Sequence, residues 1–112
     1  MSRHVFPAAL AATLPKEAGR ASARIFTHGS FEARWYAPHG LDPQAPHNRD
    51  EAYVVVRGRG TFFCNGVREP FAPGDLLWVP AGAEHRFEDF SPDLAVWVIF
   101  YGPEGGESTR TA

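Results

Sequence analysis

Histidine and glutamate side chains carry the clearest chemical signal in this sequence, because together they build metal sites in proteins. The chain has five histidines, and two of them lie in informative surroundings. His47 precedes Glu51 by four residues, and a run of three valines begins at Val54. His85 follows the turn sequence Pro80-Ala81-Gly82.

Three backbone geometries are open to the His47–Glu51 spacing, and each places the two side chains differently. A helix would put them on one face, but Pro46 before them and the valines after them disfavour a helix. One continuous strand would separate them by about 13 Å, too far to share an ion. If residues 48–50 form a tight turn, the two become cross-strand neighbours with Cβ atoms about 5 Å apart, close enough for one metal.

Short apolar runs closed by turn residues dominate the chain from residue 24 onward. The runs predicted as strands are 24–27, 31–36, 52–57, 61–64, 76–79, 85–90 and 94–101. Asn65-Gly66 is the strongest hairpin signal among the turns. About seven short strands rich in Val, Phe, Trp and Tyr predict an all-β protein, either a sandwich or a barrel.

The two ends of the chain differ from this pattern. A short helix is predicted to begin at Pro7 and to end before Pro15, within an N-terminal segment of residues 1–23. The barrel would then occupy residues 24–103, and the polar residues 104–112 would form a flexible tail. The N-terminal apolar run is too short and interrupted for a signal peptide or a membrane span, so a cytoplasmic location is expected.

Size and charge restrict the partners of the protein. A chain of 112 residues is expected to form one domain, and a net charge of −2 gives no reason to expect nucleic acid or an anionic membrane as partner. Cys64 is the only cysteine, which excludes an internal disulfide. The strongly apolar run 95–101 favours a contact between subunits, so a homodimer is expected.

One motif resembles the first motif of the cupin superfamily. In cupins this motif contains a glycine, a His-x-His pair, a glutamate three or four residues on, and a glycine after six further residues. His47, Glu51 and Gly58 match the second histidine, the glutamate and the closing glycine. Ala45 stands at the position of the first histidine, and Gln44 beside it could turn inward at a β-bulge.

A second motif strengthens this resemblance, which extends from about residue 31 to residue 101. The cupin pattern is Gly-x5-Pro-x-Gly-x2-His-x3-Asn. The first four fixed positions of this pattern are matched, with the same spacing, by Gly74, Pro80, Gly82 and His85. Asp89 stands at the position of the asparagine.

The resemblance to small single-domain cupins implies both a fold and a metal site. The fold would be a double-stranded β-helix, or jelly-roll, barrel with a short N-terminal helix. His47, Glu51 and His85 would bind one divalent metal inside it, with Gln44 as a candidate fourth ligand. Two imidazoles and one carboxylate with open positions suit iron(II), manganese, nickel or zinc.

The resemblance also implies a small-molecule ligand beside the metal. Activity as a dioxygenase, isomerase or lyase on a small organic acid or sugar-like compound would follow, with Tyr53 as a proton donor if it faces inward. A non-catalytic binding module and a purely structural dimeric barrel are the alternatives, because one fold hosts many functions. Strand alternation would turn Tyr53, Val55, Phe87 and Asp89 inward. The aromatic candidates for the pocket wall are Trp35, Phe63, Trp78, Phe87 and Trp97.

Overall fold

The computed structural model describes residues 3–16 and 21–108, and most of its regular structure is β-strand. A single helical turn, α1, comes first. The elements are α1 (Ala8–Ala11), β1 (Ala23–His28), β2 (Phe31–Tyr36), β3 (Asp50–Arg57), β4 (Gly60–Cys64), β5 (Val67–Phe71), β6 (Leu76–Val79), β7 (His85–Glu88) and β8 (Ala95–Tyr101). The predicted all-β class is confirmed. No helix among the described residues has the length and apolar character needed to cross a membrane.

The strands form two antiparallel sheets that enclose the core between them. The larger sheet has the order β1-β2-β8-β3-β6, and the smaller one has the order β5-β4-β7. Alternate residues of β3, β6 and β8 point into the core, and Phe62, Phe71 and Phe87 meet them from the smaller sheet. The Phe87 ring is central, with its centroid 5.0 Å from Tyr53 and 5.1 Å from Phe62. This arrangement is the jelly-roll barrel that the resemblance implied.

Strands β5 and β7 differ most from the sequence-based prediction, and most other strands differ from it by one or two residues at an end. Strand β5 was not predicted, because its charged residues and Pro70 hide the apolar alternation of an edge strand. It pairs with β4 across Asn65 and Gly66, whose φ angles of 49° and 84° fit the predicted hairpin turn. Strand β7 ends at Glu88 because Asp89 adopts a φ of 49°, so the prediction that Asp89 points inward was wrong; Asp89 is exposed.

The terminal segments pack on the barrel as far as they are described. Helix α1 begins one residue after Pro7, and Ala11 packs against Trp35 and Ala95 on the outside of the larger sheet. At the other end, the Gly105 N–H donates to the Asn48 carbonyl at 2.6 Å. The flexibility expected for residues 104–112 stays a prediction. Residues 17–20 of the N-terminal connector and residues 109–112 of the tail lie outside the described residues.

A cluster of charged side chains supports β2 near the start of β3. Arg34 is fully buried, and its guanidinium donates to the Glu32 carboxylate at 2.5 Å and to Ser22 Oγ at 2.6 Å. Arg49 donates to the other Glu32 oxygen at 2.9 Å. Burial by itself raises the pKa of Glu32, but the two guanidinium groups outweigh it, so the pKa lies below its usual value.

Replacing this carboxylate is expected to destabilise the fold in a pH-dependent way. At pH 7, Glu32→Gln should lower the free energy of unfolding by about 2 kcal/mol, because the buried Arg34 loses its charged hydrogen bond to the Glu32 carboxylate. The stabilisation is present above the unfolded-state pKa and is lost as the pH falls through the lowered folded-state pKa, so variant and wild type should converge in acid. Urea unfolding from pH 7 to pH 3 measures this. Glu84→Gln, in an exposed pair with Arg86, should change little.

Candidate metal centre

Three metal-ligating side chains converge inside the barrel. Glu51 lies on β3 of the larger sheet, and His85 begins β7 of the smaller sheet, which faces it across the core. The Glu51 Oε1 atom lies 3.3 Å from His85 Nε2 and 4.0 Å from His47 Nε2. One potential ligand atom from each of the three residues lies within 4.8 Å of the other two. The structure therefore brings together His47, Glu51 and His85, as the resemblance implied.

The backbone around His47 shows how this convergence arises. A bend at residues 48–49 separates His47 from β3, which begins at Asp50. The chain does turn between His47 and Glu51, but the two residues are not cross-strand neighbours, because His47 lies in an irregular segment and not in a paired strand. Its carbonyl accepts the Gly82 N–H at 2.7 Å. Gly82 has a φ of 82°, a conformation that a side chain would strain. The motif glycine thus holds His47 against the turn that leads to His85.

The polar atoms at the centre of this cluster are buried without hydrogen bonds. Glu51 is 1% exposed and His85 is 2% exposed. Within the described residues, neither Glu51 carboxylate oxygen nor His85 Nε2 has a hydrogen-bond partner. A buried polar group left unpaired costs about 1–3 kcal/mol, and more if it is charged. A divalent cation would satisfy all three atoms at once, so these residues fit a metal.

The imidazole of His85 is oriented for coordination through Nε2. Its Nδ1 lies 2.9 Å from the Ala83 carbonyl, which can only accept, so Nδ1 carries the proton. Nε2 then presents its lone pair toward Glu51, as metal-binding histidines usually do. Burial lowers the pKa of His85, but Glu51, the Ala83 carbonyl and Asp42 raise it more, so the net shift is upward. The same negatively charged surroundings that raise the pKa of His85 would also favour a metal cation at this site.

Gln44 and Tyr53 lie next to the three side chains and are hydrogen-bonded to each other. The Tyr53 hydroxyl donates to Gln44 Oε1 at 2.9 Å, and Gln44 Nε2 donates to Asp42 at 2.8 Å. Gln44 lines the same cavity as His47 and Glu51. Tyr53 faces inward as predicted and is fully buried. Burial and the nearby Glu51 charge raise the pKa of Tyr53 well above its usual value, so it retains its proton.

Sequence reasoning missed Asp42, a buried carboxylate at the edge of this site. Its Oδ1 atom accepts the Tyr36 hydroxyl, and its Oδ2 atom accepts the Phe87 N–H at 2.7 Å. Burial and the Asp42 hydrogen bond raise the pKa of Tyr36 far above its usual value. The only local signal is the sequence Leu-Asp-Pro, which indicates a turn and nothing more.

A cavity of about 130 Å³ adjoins two of the three side chains, His47 and Glu51. Its lining residues are Ala21, Ser22, Tyr36, Pro43, Gln44, His47, Glu51, Val98 and Phe100. The prediction of five aromatic residues for its wall was wrong, because none of them lines this cavity. Phe87 packs in the hydrophobic core. Trp35 and Trp97 pack outside the larger sheet, Trp78 is 55% exposed, and Phe63 lies under Arg68 and Arg86 on the outside of the smaller sheet.

Comparisons with known proteins agree with this geometry. A family model described as a cupin domain matches residues 35–101. An uncharacterised protein of Streptomyces coelicolor is 43% identical over 63 residues, which cover 56% of this chain and 60% of that protein. Acireductone dioxygenase 1 of Pectobacterium atrosepticum is 42% identical over 65 residues, which cover 53% of this chain and 37% of that enzyme. The chain thus spans less than two thirds of either curated relative.

A solved structure extends the similarity to nearly the whole barrel. The crystal structure of a cupin 2 conserved barrel domain protein from Salinispora arenicola matches with a TM-score of 0.66 at 20% identity, over 91% of each chain. The family match, residues 35–101, contains β3 to β8 together with His47, Glu51 and His85. The chain therefore belongs to the cupin superfamily.

Proposed function

We propose that this cupin is a metal-dependent enzyme that acts on a small organic acid or sugar-like compound, as a dioxygenase, isomerase or lyase. The buried unpaired atoms of Glu51 and His85 carry the proposal, since a divalent cation satisfies them best. His47, Glu51 and His85 would hold iron, manganese, nickel or zinc. Such a metal supplies Lewis-acid polarisation or, as iron, redox chemistry with dioxygen.

The cavity limits the size and character of the substrate. Its volume of about 130 Å³ is well below the 300–1,000 Å³ typical of sites for drug-sized ligands. Its lining combines the apolar side chains of Pro43, Val98 and Phe100 with the polar side chains of Gln44, His47 and Glu51. A molecule of few atoms that carries oxygen substituents fits this mixed lining. The similarity to an acireductone dioxygenase supports a small oxygenated substrate.

The chemistry proposed for Tyr53 is proton donation to the substrate. In the structure its hydroxyl donates to Gln44, so transfer to a substrate requires this hydrogen bond to break. The raised pKa keeps the hydroxyl protonated until that happens. This role, like the cytoplasmic location, stays a prediction.

Turnover by metal-loaded protein tests the enzymatic part of the proposal. Samples reconstituted separately with iron(II), manganese, nickel and zinc would be incubated with small hydroxy acids, keto acids and hydroxyketones. An oxygen electrode and mass spectrometry would follow the reactions. Conversion of at least one compound that depends on the metal is expected. Metal-loaded protein that binds such compounds without converting any would favour the alternative, a non-catalytic binding module.

Gln44 is the proposed fourth ligand, through its carbonyl oxygen. Gln44→Ala is expected to weaken metal affinity by about tenfold, the usual range for a supporting group. Competition with a chromophoric chelator measures the dissociation constant. Gln44→Glu keeps an oxygen at the same place and serves in the tests below. An unchanged affinity in Gln44→Ala would remove Gln44 from the metal centre.

We further propose that the protein is a homodimer that pairs through the outer face of the larger sheet. Six cross-strand neighbours on this face are apolar: Ala52, Val54, Leu76, Trp78, Trp97 and Ile99. The smaller sheet instead carries an ion-pair network of Arg68, Arg86 and Glu88 on its outside. A two-fold interface sets the same residues against themselves, which an uncharged face tolerates and a charged one does not.

The oligomeric state of a variant tests whether this face is the dimer interface. Trp78→Glu is expected to convert the dimer to a monomer, because it introduces two charges into the symmetric interface. Light scattering after size-exclusion chromatography gives the mass. Val67→Glu, at an exposed position on the smaller sheet, should leave the dimer unchanged. A wild-type monomer at micromolar concentration would contradict the proposal.

A further inference from the structure

Asp42 joins the irregular segment that carries Gln44 and His47 to both sheets. Its carboxylate accepts the Tyr36 hydroxyl from β2, the Phe87 N–H from β7 at 2.7 Å and the Gln44 side-chain N–H at 2.8 Å. Phe87 lies two residues beyond His85 on the same strand and the same face. One buried carboxylate therefore connects the segment that carries His47 with the strand that carries His85.

Three hydrogen-bond donors surround the Asp42 carboxylate. Asp42 is 9% exposed, and within the described part of the chain no lysine, arginine or histidine forms an ion pair with it. Buried charges are normally paired or lie near a metal. Glu51 is a second buried carboxylate, and it lines the same cavity as Gln44. Two buried carboxylates near His85 favour a divalent cation at the cluster of His47, Glu51 and His85.

The chemistry of Asp42 also fixes the direction of the Gln44 amide. A carboxylate accepts hydrogen bonds, so the group that Gln44 turns toward Asp42 must be its NH2, and its oxygen must point the other way. That oxygen accepts the Tyr53 hydroxyl at 2.9 Å, and Gln44 lines the same cavity as His47 and Glu51. An asparagine at position 42 would offer an NH2 of its own and allow the Gln44 amide to flip.

We propose that Asp42 is a positioning residue of the metal centre, which holds the Gln44 amide with its oxygen toward the metal site and its nitrogen away from it. The inference rests on the proposed function, because it assigns Asp42 an effect on metal binding through Gln44. Asp42 itself does not belong to the cluster of possible ligand atoms around Glu51.

A double-mutant cycle on metal affinity tests this role. Asp42→Asn and Gln44→Ala should each weaken manganese or zinc binding about tenfold. The double variant should also be about tenfold weaker and not a hundredfold, because Asp42 acts through Gln44. Asp75→Asn removes an exposed aspartate whose carboxylate accepts the Ala72 N–H in a turn outside the site, and it should bind metal as the wild type does. A hundredfold loss in the double variant, or an unchanged affinity in Asp42→Asn, overturns the proposal.

A double variant that exchanges the carboxylate of residue 42 and the amide of residue 44 keeps the test decisive if Asp42→Asn alone does not fold. Gln44→Glu alone places two carboxylates against each other and should weaken metal binding and lower the melting temperature. Combining it with Asp42→Asn restores a donor–acceptor pair with oxygen toward the metal, so affinity should return to within about threefold of wild type. Absence of rescue in this folded pair refutes the positioning role. If His47→Ala loses metal while both Gln44 variants keep it, this inference alone fails; if the wild type binds no metal, the proposed function fails.

Discussion

Replacing His85 by alanine is expected to abolish metal binding while the barrel remains folded. His85 Nε2 is buried without a hydrogen-bond partner among the described residues and lies 3.3 Å from Glu51. Its removal takes one of three ligands from the site, so affinity should fall by roughly a hundredfold or more, beyond the loss typical of supporting groups. The cavity left by the imidazole lowers the free energy of unfolding, but this loss is partly offset, because the unpaired Nε2 atom is removed with the ring.

Metal content by elemental analysis and far-UV circular dichroism measure these two effects. His47→Ala should behave in the same way, and it is the safer variant for folding because the His47 side chain is 35% exposed. His39→Ala removes an exposed histidine from the same irregular segment and serves as the matched control. A folded His85→Ala protein with full metal content would show that the three side chains do not form the binding site.

Replacing Glu51 by leucine is expected to have opposite effects on metal binding and on the stability of the metal-free protein. The carboxylate is 1% exposed, and neither of its oxygens is hydrogen-bonded within the described residues. An apolar side chain of similar size removes this cost, so the free energy of unfolding at pH 8 should rise by about 1–3 kcal/mol. Metal binding should be lost, because the only anionic ligand is gone.

Urea unfolding with a chelator compares wild type and Glu51→Leu without metal. Adding the metal should raise the melting temperature of the wild type only, since a ligand stabilises the state that binds it. Glu69→Leu, at an exposed position on β5, should give no such gain in stability. A Glu51→Leu protein less stable than the chelated wild type would mean that the carboxylate is structural.

Most strands could be predicted because turn residues separate them cleanly. Asn65 and Gly66 adopt the positive φ angles that a two-residue hairpin requires, and β2 and β6 have the predicted bounds. Strand β5 escaped prediction because an exposed edge strand needs no apolar alternation, and Pro70 is tolerated there. The aromatic residues of the cavity wall were predicted wrongly because several strands are apolar on both faces. In such strands the sequence does not show which alternate residues point inward.

The candidate site was predictable where its geometry is local. His47 and Glu51 are joined by a short bend, and turn-forming residues between them indicate that bend. His85 was predicted as a ligand only from the spacing of the second cupin motif. Its contact with Glu51 depends on how the two sheets face each other, which no local pattern shows. Asp42 was missed because its partner Phe87 is 45 residues away. Contacts of that kind depend on tertiary packing, which no local pattern encodes.

The metal content of the wild-type protein tests the central claim most directly. Protein would be purified without chelators or an affinity tag that binds metal, from cells grown with added iron, manganese, nickel and zinc. Elemental analysis is expected to find about one divalent transition metal per chain, removable by a chelator and restored by dialysis. A chain that stays metal-free after such growth, and after direct titration with each of the four metals, would contradict the account.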